Sequence, residues 1–538
     1  MTSVVFEAGG DARPTMASVL SGAQVELQPA APLDRTRFDT LDGRLYAAGL
    51  RAELRTTDGH AQELVVVART GAPAHLPLSG VLDPSRPLPL DRLPPGPLRS
   101  RLRLVAGDRA VVPQVRCVTQ RSSGIAVDEH GAPTVTVHVD EAVSLLARPS
   151  DPVPPVSGLP LLAVEVAALP GRDMVAADLR DALRHALGSA GRPATAHDGD
   201  VLELVAVRAG VDRIGWRGAE MPRLRRREDA IDGIRAVLRG FADELERTWD
   251  ATADHVDDEA LHAFRIAVRQ TRSLLAQSRR ILPKDVRKTH TDAFRWLGTV
   301  TSPARDLDVY VAGWDQLVAP LSRANAQALE PVLAHLAGQR AIAHGEVARA
   351  LRSRTARELR DEWRTWLDLP DIEVVGGRDA VRRLGAVTAE RILDAHHRLL
   401  ADGRLIDDDT PAEQLHQLRK DAKRLRYLLE GFGHLGGRKQ AKRVIGQLKA
   451  LQDNLGAHQD AEVQATRLRR ALEELDEGPE GHDAPGLDPD TRAAGQRLVR
   501  ILVDRQDAER ARFPDVFGDY DRRKARTRLT ELTDRMAR

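Results

Sequence analysis

From the start of the chain to about residue 207, apolar positions alternate or gather in short runs. Residues 63–69, 134–139 and 161–167 are rich in β-branched side chains and bounded by Gly, Pro or Asp, a pattern that predicts strands. Apolar residues at helical spacing predict a helix over 176–188 and a shorter one over 15–20. Beyond a Gly- and Arg-containing connector at 208–226, the period lengthens. Amphipathic segments rich in Ala, Leu, Arg and Glu run to the end, with breaks expected near Pro283, Ser302–Pro303, Pro370, residues 407–411, Gly436–Gly437 and residues 478–489. The chain therefore predicts a multidomain α+β protein. A mainly antiparallel β domain with minor helices occupies 1–207, and an all-α domain occupies 227–538. The stretch 478–489 reads as a flexible insertion, and 522–528 as a solvated basic helix or frayed tail.

A length of 538 residues supports this division, because one hydrophobic core rarely serves so long a chain. The formal charge is only +1, from 80 basic and 79 acidic side chains, so a uniformly basic nucleic-acid coat is excluded and any anion site must come from segregated charge. Cys117 is the only cysteine. It allows no intrachain disulfide and no cysteine cluster for zinc, which fits a reducing cytosol. No basic, apolar leader opens the sequence, and no run of roughly 18 apolar residues occurs, so a cytoplasmic protein without a membrane partner is expected. His60, His75, His130 and His138 lack the spacing of an established metal site, and no metal or other cofactor is expected.

The helical half contains a repeat. His262-Ala-Phe-Arg265-Ile-Ala-Val-Arg269-Gln-Thr-Arg272 and His416-Gln-Leu-Arg419-Lys-Asp-Ala-Lys423-Arg-Leu-Arg426 share the pattern His-x-x-Arg-x-x-x-basic-x-x-Arg. The offset of 154 that carries His262 onto His416 also carries Lys284 onto Arg438, Lys288 onto Lys442, Arg295 onto Lys449, Leu297 onto Leu451 and Asp306 onto Asp460. A register held over that span indicates duplication, with copies at about 227–380 and 381–538. Each copy would be a bundle of antiparallel helices.

At about 100° per residue, positions i, i+3, i+7 and i+10 fall within an arc of about 80°, so each histidine and its three basic residues form one stripe on a helix face. Lys284, Lys288 and Arg295 form a second narrow stripe, which Arg438, Lys442 and Lys449 repeat. From 262 to 288 there are eight basic residues against Asp285, and from 416 to 449 there are ten against Asp421 and Glu430. Like charges at i, i+4 weaken an isolated helix by a few tenths of a kcal/mol each, a cost that a bound polyanion would offset. Charge runs on helices are ordinarily solvated faces; the duplication is what favours a ligand. A histidine in a first helical turn is ordinarily structural, but its identical placement before both stripes favours a phosphate contact.

At these residues the chain resembles the CHAD family, the conserved histidine α-helical domain, which binds inorganic polyphosphate through basic pockets. The resemblance runs from about residue 227 to the C-terminus. It rests on the two His-led motifs, on Thr301-Ser-Pro-Ala-Arg305-Asp-Leu-Asp-Val-Tyr310, and on Leu451-Gln-Asp-Asn-Leu-Gly456. It implies polyphosphate as the partner, with Arg305 added to the stripe residues as contacts, and association with polyphosphate granules.

The N-terminal half resembles, more weakly, the CYTH family, whose β-tunnels bind triphosphates. The residues are Arg37-Phe-Asp-Thr40, Ala48-Gly-Leu-Arg-Ala-Glu53-Leu-Arg55, the strand ending at Asp140 and the strand containing Glu165. The family's opening Glu-x-Glu-x-Lys signature is not completed: within residues 4–10 only Glu7 is acidic, and no lysine precedes Lys284. Glu53 and Arg55 stand where the family shows a pair of arginines. The chain thus predicts a retained fold without catalytic residues, and non-catalytic polyphosphate binding as its function. Two other functions are alternatives. A metal-dependent triphosphatase or polyphosphatase would use the tunnel, and a nucleic-acid binder would need base-stacking aromatics, for which Trp296, Tyr310 and Tyr427 are the nearest candidates.

Overall fold

The computed structural model describes all residues except 1, 8–11, 58–60, 69–73, 147–155, 190–201, 203–221, 408 and 478–485. Residues 208–221 of the expected connector, 478–485 of the expected insertion, and His60 lie outside the described residues. The chain divides into two compact units, Met1–Gly218 and Ala219–Arg538.

In the first unit the strands β1 (Thr2–Glu7), β2 (Ala31–Thr40), β3 (Leu50–Thr57), β4 (Ala61–Ala68), β5 (Ala74–Pro77), β6 (Val111–Val127), β7 (Pro133–Leu146) and β8 (Val156–Ala168) make one antiparallel sheet. Their order is β1-β8-β7-β6-β2-β3-β4-β5. One face is apolar. Val135, Val137 and Val139 of β7 and Leu162, Val164 and Val166 of β8 pack under α1 (Ala12–Gly22) and α4 (Asp173–Ser189), through Met16, Leu20, Leu183 and Leu187. A short helix α2 (Arg44–Ala47) follows β2, and α3 (Pro97–Ala106) covers a second apolar cluster around Phe38, Leu54 and Leu64. Helix α3 was not expected. Its Leu-Arg-Ser-Arg-Leu-Arg-Leu run has the period of a strand, whereas Pro97 at its first position and Gly107 just past its end are helix punctuation.

The second unit is helical: α5 (Ala230–Ala253), α6 (Asp258–Gln277), α7 (Lys284–Ala312), the short α8 (Trp314–Val318) and α9 (Arg323–Ala328), α10 (Glu330–Leu351), α11 (Arg354–Asp368), α12 (Leu384–Gly403), α13 (Ala412–Phe432), α14 (Arg438–Glu477), α15 (Pro489–Tyr520) and α16 (Arg523–Ala537). Adding 154 to the first residues of α5, α6 and α7 gives 384, 412 and 438, the first residues of α12, α13 and α14. The same shift describes how the copies join. The Ala230 N–H donates to the Arg382 carbonyl at 2.9 Å and the Leu384 N–H to the Glu228 carbonyl at 2.8 Å. Ile231 donates to Ala380 and Gly385 to Arg226, both at 3.0 Å. Each bond maps onto its partner with the copies exchanged, which is the mark of a two-fold relation. One continuous apolar core runs through both copies.

One expectation is corrected and another narrowed. Ser302–Pro303 does not break a helix, because Pro303 lies inside α7. A helix-interior proline costs about 3 kcal/mol; burial of Leu297, Thr301, Ala304 and Leu307 on both sides of it offsets that cost. Residues 522–528 are the solvated basic helix rather than the frayed tail: Arg523, Lys524 and Arg526 are exposed on α16, which buries Ala525, Leu529, Leu532 and Met536 against α12, α14 and the turn Gly433–Gly436.

Candidate functional site

The two His-led motifs lie on α6 and α13, which pack against each other. Helix α6 begins at a capping residue, with the Asp257 carboxylate accepting from the Ala260 N–H at 2.7 Å, and Asp258 and Glu259 favour its positive end. Leu261, Phe264, Val268, Thr271 and Leu275 form its buried face, and Leu415, Leu418, Ala422, Leu425 and Leu429 do the same on α13. His262, Arg265, Arg269 and Arg272 each follow a buried position by one residue, as His416, Arg419, Lys423 and Arg426 do. A step of about 100° from the core places each stripe at the shoulder of its helix. His262, Arg265, His416, Arg419, Lys423 and Arg426 are accordingly half-buried, while Arg269 and Arg272 are exposed.

Arg265 is fixed to α7, donating to the Gly298 carbonyl at 3.1 Å and to the Thr301 and Ser302 hydroxyls at 3.0 Å. In the second copy Arg419 donates to Asp460 at 3.1 Å, and His416 bonds the Gln459 side chain. Burial holds the Arg265 guanidinium below its ordinary value; Asp306 opposes this, and Arg269, Arg305 and Arg272 add to it. Burial and Arg305 likewise depress His262, against Glu259, so the unliganded site favours its neutral form. The stripes meet. The Arg269 guanidinium lies 5.8 Å from the centre of the Tyr427 ring on α13. Lys423 is lowered to about 8 by burial, by Arg419 and by Arg269 across the interface, with Asp460 opposing. Positions 269 and 423 are equivalents under the 154-residue shift, so their approach lies on the two-fold relation between the copies. Cations that depress one another's proton affinity favour an anion between them.

In the first unit the sheet's other face is polar. Arg35 lies 2.9 Å from Asp140, and Arg121 lies 2.6 Å from Asp140 and 3.0 Å from Glu165. Arg55 donates to Glu53 at 2.7 Å, with Arg37 3.9 Å from the same carboxylate. Burial raises Asp140, but Arg35, Arg121 and the Thr119 hydroxyl outweigh it and hold the carboxyl far below the usual range. The sequence singled out Arg37 and Arg55 among the cations of this face, and the structure adds Arg35 and Arg121. Strand register, which places Arg35 opposite Arg55 and Arg37 opposite Glu53, is what reveals them. His75 pairs with Glu63 on the surface, and His138 with Ser123.

The family model of the CHAD domain matches residues 236–469. These residues are a CHAD domain. Among solved structures, the CHAD domain from the plant Ricinus communis is 24% identical and covers 57% of this chain and 96% of its own, at a TM-score of 0.46. PptA from Streptomyces chartreusis is 18% identical, covering 54% and 99% at 0.40. The putative adenylyl cyclase HpAC1 from Hippeastrum, whose structure is described as revealing a dominant triphosphatase activity, is 13% identical, covering 39% and 96% at 0.26. No curated protein matches the chain.

Within the CHAD domain, the remaining predicted residues divide into two groups. Arg305 sits beside His262, Arg265 and Asp306 and donates to the Asp258 carbonyl at 3.3 Å. Arg295 adjoins Arg272 but is held in an exposed pair with Asp292 at 2.5 Å. Lys449 takes the place equivalent to Arg295 on α14. Lys284, Lys288, Arg438 and Lys442 are exposed on the opening turns of α7 and α14. One residue was missed. Arg467 of α14 approaches Asp306 and Tyr310 of the first copy, whose hydroxyl donates to the Gln464 carbonyl at 3.3 Å. Its position seven residues after Asp460 puts both on one helix face, but the repeat ends before it, so the duplicated pattern gave no reason to look there.

Proposed function

We propose that the CHAD domain binds inorganic polyphosphate without turnover, along a track made of both stripes. The observation that carries this reading is the meeting of Arg269 and Lys423 at the join of the two copies, which turns two short stripes into one path. Its arginines can each hold a phosphate by paired hydrogen bonds, and Lys423 adds a mobile point charge. Neutralised phosphates would relieve the repulsion that depresses Lys423 and His262. The absence of hydrolysis is also part of the proposal. Arg35, Arg55 and Arg121 already engage Glu53, Asp140 and Glu165, the carboxylates on that face which a divalent metal would need.

The test is competition at fixed salt among long polyphosphate, triphosphate, single-stranded DNA and RNA, with phosphate release followed in the same samples. Polyphosphate should displace the others and emerge uncleaved in the presence of Mg²⁺ or Mn²⁺. Tight binding of nucleic acid alone would refute the first part, and turnover at about 1 per second or faster would refute the second.

A further inference from the structure

Away from the stripes, four metal-ligating side chains converge at one end of the first copy. His255 lies between α5 and α6, Asp258 opens α6, Asp308 lies near the end of α7, and His344 is in the middle of α10. One nitrogen or oxygen from each lies within 4.8 Å of all the others. His344 Nε2 is 2.7 Å from the Asp308 carboxylate, and His255 Nε2 is 3.3 Å from that of Asp258. The two imidazoles are stacked, with centres 3.4 Å apart. Asp308 and His344 are 1% and 5% exposed, and the second oxygen of Asp308 is buried without a hydrogen-bond partner.

We propose that these four residues form a binding site for a divalent cation of the zinc class. Two imidazole nitrogens and two carboxylate oxygens are a donor set that Zn²⁺ takes in tetrahedral geometry, at about 2.0–2.2 Å from each. In the unliganded site the charge of the carboxylates is met by Arg340, which donates to Asp308 at 2.7 Å, to Asp258, and to His255 at 3.3 Å. The Arg340 side chain is 25% exposed and can withdraw toward solvent as the ion enters. Binding would use the Nε2 lone pair of His344 in place of its hydrogen bond to Asp308, with the ring proton carried at Nδ1. The site belongs to the first copy alone: a shift of 154 places Asp409, Ala412, Glu462 and Leu498 at the four equivalent positions, which cannot reproduce it. By tying α6, α7 and α10 together, the ion would brace the turn of α7 that presents Arg305 and Asp306.

The experiment is titration of the metal-free full chain with Zn²⁺ against a chromophoric chelator, together with thermal melts. The wild type should bind one equivalent more than Asp308→Asn or His255→Gln, and its Tm should rise with zinc. Arg340→Met, which removes the competing cation, should bind zinc at least about tenfold more tightly than the wild type. His255 is exposed, so its substitution tests the site without emptying the core. If the wild type and Arg340→Met both take up no more zinc than His255→Gln, the cluster is an ion-pair network and the proposal fails.

Discussion

Lys423 shows how position alone sets the chemistry of a residue. Exposed on a helix it would be an ordinary solvated ammonium. On the shoulder of α13, half-buried and facing Arg419 and Arg269, it is lowered to about 8. A bound polyanion would return it toward its usual range, so binding takes up a proton. The sign follows: this contribution to affinity is complete below pH 8 and is lost as pH rises above it. Polyphosphate affinity should therefore fall at least about tenfold between roughly pH 7 and 9.5 in the wild type, while Lys423→Met stays nearly flat. Isothermal titration at several pH values checks this, and equal slopes in the two proteins would contradict it. His262, Arg265 and their repeats could be picked from the sequence because a four-residue pattern recurred at one offset. Arg467, Arg35 and Arg121 could not, since their neighbours come from strand pairing and helix packing rather than from spacing along the chain.

Among elements, the long amphipathic helices and the β-branched strands were readable because burial on one face imprints a period. Helix α3 was not, as its arginines mimic alternation. The false break at Pro303 has the opposite origin: a local rule gave way to packing on both sides of the proline. The join of the copies shows a third kind of information. Gly385 is the equivalent of Ile231, and a Cβ there would fall 2.2 Å from the Met536 carbonyl oxygen and 3.2 Å from Arg226. Helix α16 has closed over the second copy, so the symmetry breaks where that copy needs a glycine. Gly385→Ala should destabilise the helical unit by about 1–3 kcal/mol, read as a lower urea midpoint by circular dichroism. An unchanged midpoint would show that α16 does not seat there.

At the scale of the whole molecule, the 154-residue register was visible in sequence and reappears in the first residues of three helix pairs, whereas the two-fold exchange of hydrogen bonds between the copies needed coordinates. The duplication is central to the proposed function: a polymer engaged by one stripe meets the second at high effective concentration. The most direct measurement is polyphosphate affinity against salt for Arg269→Gln/Arg272→Gln, for Lys423→Gln/Arg426→Gln, and for Arg523→Gln/Lys524→Gln as a control of equal charge on the exposed face of α16. Arg265 is left in place because it is fixed to α7. Each stripe variant should weaken binding and flatten the dependence of log affinity on log salt, by analogy with counterion release from nucleic acids. The control should change both much less. If the control lowers affinity and slope as far as either stripe variant does, the chain responds to bulk charge and the track does not exist.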